Sequence, residues 1–115
     1  MMKDIIKDYF LDKPGTFENT VDHKHITLNL ASEQLVEITT NSIEVKLNKQ
    51  MSDQLHGKFR SARTVKTEGQ FEWNEIPIDA EISLNDLYEI IDHSYEIAID
   101  ALPENEQKEI LDLEW

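Results

Sequence analysis

The sequence predicts an α+β fold: a two-layer sandwich in which helices cover one face of a five-stranded, mainly antiparallel sheet. Helical spacing of apolar residues occurs near both ends of the chain, and β-type alternation fills the middle. The breaks between the β-type runs are short and polar, which favours hairpins over parallel crossovers. The predicted order is α-βββ-α-ββ-α-α, within a single domain over residues 1–115.

The first helix is predicted over residues 2–12, where apolar residues share one side and charged residues fill the other. The turn-forming run Lys13-Pro14-Gly15 ends this helix. A polar connection over residues 17–22 follows, and Phe17 is its expected apolar anchor.

Three strands are predicted next, over residues 23–30, 34–40 and 42–47. They alternate apolar with polar residues or are rich in Val, Ile and Thr, as half-buried strands are. The connections between them have room only for turns, so the three strands form an antiparallel meander.

A short helix is predicted from residue 48 to about residue 55, with Asn48 as its N-cap and Gly57 as its C-terminal stop. Strands over residues 63–68 and 71–78 then form a hairpin.

Gly69 lies at the turn of this hairpin. Trp73 and Ile76 differ in strand parity, so a bulge near Asn74-Glu75 is expected to bring both side chains to one inward face.

The longest helix is predicted over residues 84–102, where apolar residues step by three or four. Ser83 is a good N-cap, and Asp86 three residues later gives a variant of the capping box. Pro103 ends this helix and begins a last one.

The outward face of the long helix is acidic. Its candidate partner-binding residues are Asp86, Glu89, Asp92, Glu96 and Asp100. Like charges at i,i+4 destabilise a helix by roughly 0.2–0.5 kcal/mol per pair, so local stability does not explain the arrangement. One interpretation is a solvated face that keeps the protein soluble. The other is a docking surface for a basic partner, or an imitation of a phosphate backbone.

A basic segment precedes the second strand of the hairpin. Its candidate nucleic-acid-binding residues are Lys58, Phe59, Arg60, Arg63 and Lys66. The cations could grip phosphates while the aromatic ring stacks on a base. Such binding would be weak and strongly dependent on salt. The alternative is an ordinary solvated loop whose cations are attracted to the acidic helix.

Charge is divided unevenly along the chain. Residues 1–66 hold nine acids and ten bases, whereas residues 67–115 hold fifteen acids and one base, which gives the net charge of −13. Cysteine is absent, which fits a reducing cytoplasm. The N-terminus has no signal-peptide pattern, and no apolar run approaches the ~20 residues that span a bilayer.

No catalytic, metal or cofactor motif stands out. His23 and His25 share a strand face, but no third ligand accompanies them, and they are interpreted as exposed. Asp92, His93 and Ser94 have the residue types of a hydrolase triad, but consecutive helical residues point about 100° apart. The hydroxyls of Ser94 and Tyr95 are expected to bond to the sheet or to a neighbouring carbonyl. A non-enzymatic role is therefore predicted.

The order of several short motifs resembles the YjbR/MmcQ family of small bacterial proteins. The matching motifs are Lys13-Pro14-Gly15, Val45-Lys46-Leu47, Trp73, Ile91-Asp92-His93-Ser94-Tyr95 and Leu102-Pro103. Members usually also place an Asn-Lys pair and a His before the Trp, where this chain has Gly69-Gln70-Phe71-Glu72.

The resemblance implies a compact sandwich similar to frataxin-like and secretion-chaperone-like domains. It also implies a DNA-binding protein that would use the basic segment. The alternative is an acidic protein-interaction module, or a DNA mimic, that uses the acidic helix.

Overall fold

The computed structural model describes residues 2–19, 25–31, 33–78 and 82–111. Their elements are α1 (Met2–Leu11), β1 (Thr16–Glu18), β2 (Ile26–Leu30), β3 (Glu33–Ile38), β4 (Ser42–Asn48), α2 (Lys49–Lys58), β5 (Arg63–Glu68), β6 (Phe71–Pro77), α3 (Leu84–Asp100) and α4 (Glu104–Leu111). The predicted α+β class and antiparallel sheet are confirmed, but the sheet has six strands and not five.

The strand missed by the sequence prediction is β1, which pairs antiparallel with β2. Phe17 and Glu18, which are predicted to lie in a connection, belong to this strand, and residues 20–22 lie outside the described residues. Phe17 does not anchor the chain, because its side chain is 45% exposed. Three residues are too few to show a β period in sequence. The strand forms by pairing with β2, and the Thr16 hydroxyl links its start to the preceding turn by donating to the Lys13 carbonyl at 2.7 Å.

The sheet has the strand order β1-β2-β3-β4-β6-β5, and every neighbouring pair is antiparallel. The meander of β2, β3 and β4 and the β5–β6 hairpin are confirmed. The turn of the hairpin contains Gly69, whose φ is +62°. β6 pairs with β4 from Ser42↔Pro77 to Asn48↔Phe71, which leaves β5 at the edge.

The predicted bulge is wrong in its position and in its effect. The irregularity lies in β5, between Thr64 and Lys66, while β6 pairs with β4 without a shift. Directly opposed residues share a sheet face. Ile76, opposite Ile43, therefore faces the core, whereas Trp73 stands on the other face opposite Lys46. The physical reason is that β6 buries a polar residue, Asn74, on its inward side, where hydrogen bonds satisfy its amide.

One core joins the helices to the sheet. The helices contribute buried apolar side chains such as Phe10 of α1, Leu55 of α2 and Ile91 of α3. The sheet adds a cross-strand set that includes Val36 and Val45, which are directly opposed. The three helices thereby fix the positions of the surface residues that they carry.

The N-cap of α2 is the predicted residue, but its C-terminal stop is not. The Asn48 side chain accepts from the Met51 N–H at 2.8 Å, which confirms the N-cap. Gly57 does not stop the helix, which continues to Lys58, and Phe59 is the C-cap. Gly57 has no positive φ, the backbone geometry on which the predicted glycine stop depends.

The start of α3 is as predicted, since the Asp86 N–H donates to the Ser83 hydroxyl at 3.1 Å. The helix ends at Asp100, so Leu102 lies in the turn before α4. In the part of the chain that the structure describes, no helix is long and apolar enough to cross a membrane.

Gly15 is required where α4 packs onto the turn after α1. Its φ is +79°, and an added Cβ would stand 2.7 Å from Cγ2 of Ile110. Both the backbone conformation and the close approach therefore exclude a side chain.

Candidate functional site

Asp92 ties α1 to α3. Its carboxylate accepts from the Tyr9 hydroxyl at 2.8 Å and is ion-paired with the Lys13 ammonium. The Tyr9 ring stacks on Tyr88 with the centroids 4.0 Å apart. Burial, and then the hydrogen bond to Asp92, raise the pKa of Tyr9 to about 12. Asp92 is thus engaged within the fold.

The neighbouring hydroxyls of α3 bind the backbone as predicted. The Ser94 hydroxyl donates to the Lys46 carbonyl at 2.7 Å, and the Tyr95 hydroxyl donates to the Pro14 carbonyl at 2.6 Å. The first bond holds α3 to β4, and the second holds it to the turn after α1. Ser94 therefore has a structural role, and the chain has no triad at this place.

The exposed stripe of α3 carries most of the acidic residues predicted for it. Its exposed members are Asn85, Glu89, Glu96 and Asp100. Asp86 is partly covered and accepts from the Ser83 hydroxyl. Nδ1 of His93 lies 3.8 Å from the Glu96 carboxylate. We call Asp86, Glu89, Glu96 and Asp100 the acidic stripe.

A groove of about 320 Å³ separates α2 from the N-terminal half of α3. Its floor is apolar, with Leu47, Leu55 and Ile90 buried and Met51 partly buried. Phe59, partly buried against the core, completes the floor. We call this feature the α2–α3 groove.

The rim of the groove is charged. Lys58 lies on the α2 side, and Asp86, Glu89 and His93 lie on the α3 side. The structure thereby brings together two residues of the predicted basic site, Lys58 and Phe59, and two of the predicted acidic site.

The other basic candidates lie away from the groove. Arg60 is in the exposed turn after α2, and Lys66 is exposed on β5. Arg63, also on β5, binds the Glu75 carboxylate, with both Nε and Nη2 at 3.0 Å.

The open face of the sheet places carboxylates beside these cations. Glu37, Glu44 and Glu75 are directly opposed across β3, β4 and β6, and Arg63 continues the row on β5. Burial, and then the charges of Glu37 and Glu75, raise the pKa of Glu44. A phosphate near β5 would therefore meet negative charge as well as positive charge.

A buried polar network joins α2 to β6. The Asn74 amide donates to the Ser52 hydroxyl at 2.7 Å, and its carbonyl oxygen lies 2.6 Å from His56 Nε2. Because that oxygen can only accept, the His56 tautomer here carries its proton on Nε2. The network holds in place the helix that forms one wall of the groove.

No metal centre is assembled in the described residues, where no three His, Cys, Asp or Glu side chains form a suitable group. His25 is exposed, and His23 lies outside the described residues.

No protein-family model matches the chain, and no curated protein matches it significantly. The YjbR/MmcQ resemblance therefore stays a prediction. Several residues on which it depends contact one another: Lys13 with Asp92, Pro14 with Tyr95, and Lys46 with Ser94.

Proposed function

We propose that this protein is a non-enzymatic binding module that docks a basic, amphipathic segment of a partner protein. The apolar face of the segment occupies the α2–α3 groove, and its cations lie along the acidic stripe. The observation that carries the proposal is the position of Asp86 and Glu89 on the rim of an apolar floor. This combination suits a helix-in-groove mode of recognition.

Charge complementarity defines the partner. Residues 67–115 hold fifteen acids against the single base Lys108, and the acidic stripe lies within that half. Such a surface attracts and orients a basic segment before contact, and it repels acidic ones. A cytoplasmic location, favoured by the lack of cysteine, belongs to the same proposal.

The groove limits the size and strength of the contact. Its volume of about 320 Å³ is at the low end of the ~300–1,000 Å³ of typical ligand pockets. Met51 is unbranched and polarisable, so it can adapt to differently shaped apolar side chains. A reversible, salt-sensitive association is expected, because rim charges contribute more to encounter than to affinity.

A designed peptide tests the proposal. It is ~18 residues long, with Leu at helical i, i+3, i+4, i+7 spacing and Lys elsewhere. Binding to the full chain is measured by fluorescence anisotropy. A peptide with the Leu residues changed to Gln, and one with the Lys residues changed to Glu, are the controls. The basic amphipathic peptide should bind, and both controls should bind at least about tenfold more weakly.

The variant Met51→Gln identifies the groove. The amide has a length similar to that of the thioether and a comparable helix propensity, so the fold is retained while the apolar floor is interrupted. Equal binding to Met51→Gln and to the wild type would place the contact elsewhere and overturn the assignment.

Nucleic-acid binding is the second candidate, implied by the family resemblance. It is favoured by the exposure of Lys58, Arg60 and Lys66, the last of which lies on the edge strand β5. The ion pair of Arg63 with Glu75 and the carboxylate row beside it weigh against this function.

Labelled DNA and RNA are titrated at low and moderate salt, with a variant that removes the charges of Lys58, Arg60, Arg63 and Lys66 alongside. Absence of binding at low salt would exclude this second function. Binding that the variant leaves unchanged would exclude these residues as its site.

A further inference from the structure

A second cleft lies where β3 and β4 separate. The ladder between these strands ends at Val36↔Val45, while β4 continues beside β6 to Asn48. The pairing of β3 with β2 is also irregular, with a register shift between Leu28 and Asn29. The C-terminal half of α3 and the β5–β6 turn line the opening, and they leave a cleft of about 560 Å³.

The walls of this cleft are mostly apolar. Leu35 and Phe71 line it from the sheet, and Ile97 lines it from α3. The neighbouring lining residues are small: Ala98 on α3 and Ala101, the C-cap of that helix. Larger side chains at these two positions would reduce the volume of the cleft.

A buried cation forms the polar part of the cleft. The Lys46 side chain is only 9% exposed. Its ammonium lies 3.1 Å from Glu33, 3.8 Å from Glu68 and 4.9 Å from the centre of the Phe71 ring. Because a buried charge without partners is costly, the two carboxylates are needed to hold this lysine in the fold.

Both carboxylates also reach solvent, since the side chains of Glu33 and Glu68 are 52% and 49% exposed. The contacts with Lys46 use Oε2 of each. Trp73 Nε1 donates to the same oxygen of Glu68 at 2.9 Å, and this bond, followed by the charge of Lys46, lowers the pKa of Glu68. Each carboxylate can still accept through Oε1, and the three groups together have a net charge of −1.

We propose that this cleft binds a small molecule that has an apolar body and a primary ammonium head. The head is accepted by Glu33 and Glu68, and the body lies against Leu35, Phe71 and the two alanines, Ala98 and Ala101. A molecule with an anionic head is disfavoured, because two carboxylates lie beside the single cation Lys46 in a chain of net charge −13. The cleft is lined by residues different from those of the α2–α3 groove, so either site can fail without the other.

Three ligands with the same apolar body test the head group: phenethylamine, phenethyl alcohol and hydrocinnamate. Their binding is followed by Trp73 fluorescence in the full chain with Trp115→Phe. The amine is expected to bind at least about tenfold more tightly than the alcohol or the acid. Equal affinities for the three ligands, or no binding of the amine, would overturn the proposal.

Two variants locate the site. Ala101 is exposed, so Ala101→Leu should narrow the cleft without unfolding the domain, which the urea midpoint checks. We expect both Ala101→Leu and Glu33→Gln to weaken amine binding about tenfold, and Glu104→Gln on α4 to leave it unchanged. An unchanged affinity in Ala101→Leu would contradict the assignment.

Amide chemical shifts give a test that needs no variant. Millimolar phenethylamine should shift the signals of Gly69 and Ala98, which line the cleft, more than that of Gly57 on α2. Shifts confined to other residues would place the amine outside this cleft.

Discussion

Asp92 offers a sharp test of how α3 is held, because its carboxylate binds two groups of α1 and the turn that follows it. In Asp92→Asn the geometry is largely kept, but the charge that neutralises Lys13 is lost. The Lys13 side chain is 18% exposed and Asp92 is 37% exposed, so solvent screens part of the interaction. A hydrogen bond to a charged group contributes ~1.5–3 kcal/mol, and with screening we expect a loss of about 1–2 kcal/mol.

Two assays measure the effect of Asp92→Asn, one on stability and one on the titration of Tyr9. Urea unfolding should show a lower midpoint with an unchanged slope. Titration of phenolate absorbance should show the pKa of Tyr9 falling from about 12, since the charge that opposes Tyr9 ionisation has gone. Tyr9→Phe assigns that transition, because it removes the same titration step.

The raised pKa of Tyr9 determines whether the stability of the fold rises or falls with pH. The folded state keeps the Tyr9 proton up to about pH 12, whereas the unfolded chain loses it near pH 10. Stability should therefore fall as the pH rises between these values, because the folded state binds more protons. Asp92→Asn should reduce that slope.

The control for Asp92→Asn is Asp53→Asn, which removes the same charge from an exposed i,i+4 pair with Lys49. Its cost should be within ~0.5 kcal/mol. If Asp92→Asn costs no more than this control and leaves the Tyr9 titration unchanged, the account of the α1–α3 contact is wrong.

Three further changes test the fold around the sites. Glu44→Gln should raise the free energy of unfolding at neutral pH by roughly 0.2–1 kcal/mol, because it removes one charge from the carboxylate row. This increase should shrink as the pH falls through the raised pKa of Glu44, where the wild-type carboxylate becomes neutral. An unchanged free energy of unfolding at neutral pH would show that the carboxylates of the row do not repel one another. Asn74→Ala should cost ~1–3 kcal/mol in urea unfolding, because it leaves buried Ser52 without its donor. Gly15→Ala should cost ~1–3 kcal/mol, since its Cβ would overlap Ile110.

Local signals in the sequence predicted much of the fold. Ser83 and Asn48 cap their helices as expected, because an N-cap depends on a side chain and the backbone two or three residues away. The hairpin turn at Gly69 is also predicted from local sequence, because a turn that needs a positive φ favours glycine. β1 is missed because its three residues are too few to show a β period and are stabilised by pairing with β2.

The side of the sheet on which Trp73 lies could not be predicted from the residue pattern of β6. An aromatic residue in a strand was expected to face the core, yet Asn74 takes the inward position. Its burial depends on Ser52 and His56 of another element, and the sequence of β6 alone does not show them. A polar residue is inexpensive to bury only when such partners are present.

The candidate sites were predicted in part. The residue types of both sites were visible as charge runs, but the runs did not reveal that Asp92 is bound internally or that Lys58 faces Asp86 and Glu89 across a groove. The floor residues Met51 and Leu55 stood out only as the apolar side of α2. Their role depends on the packing of α2 beside α3, which is a property of the tertiary structure.

Charge reversal measures the central claim most directly. Fluorescence anisotropy measures the binding of the double variant Asp86→Lys and Glu89→Lys to two peptides. One is the basic amphipathic peptide, and the other is the version whose Lys residues are changed to Glu. A matched reversal, Glu104→Lys and Glu109→Lys on α4, is the control. We predict that the groove-rim variant loses the basic peptide and gains the acidic one, while the α4 variant keeps the wild-type preference. Identical peptide preferences in the two variants would contradict docking at the α2–α3 groove.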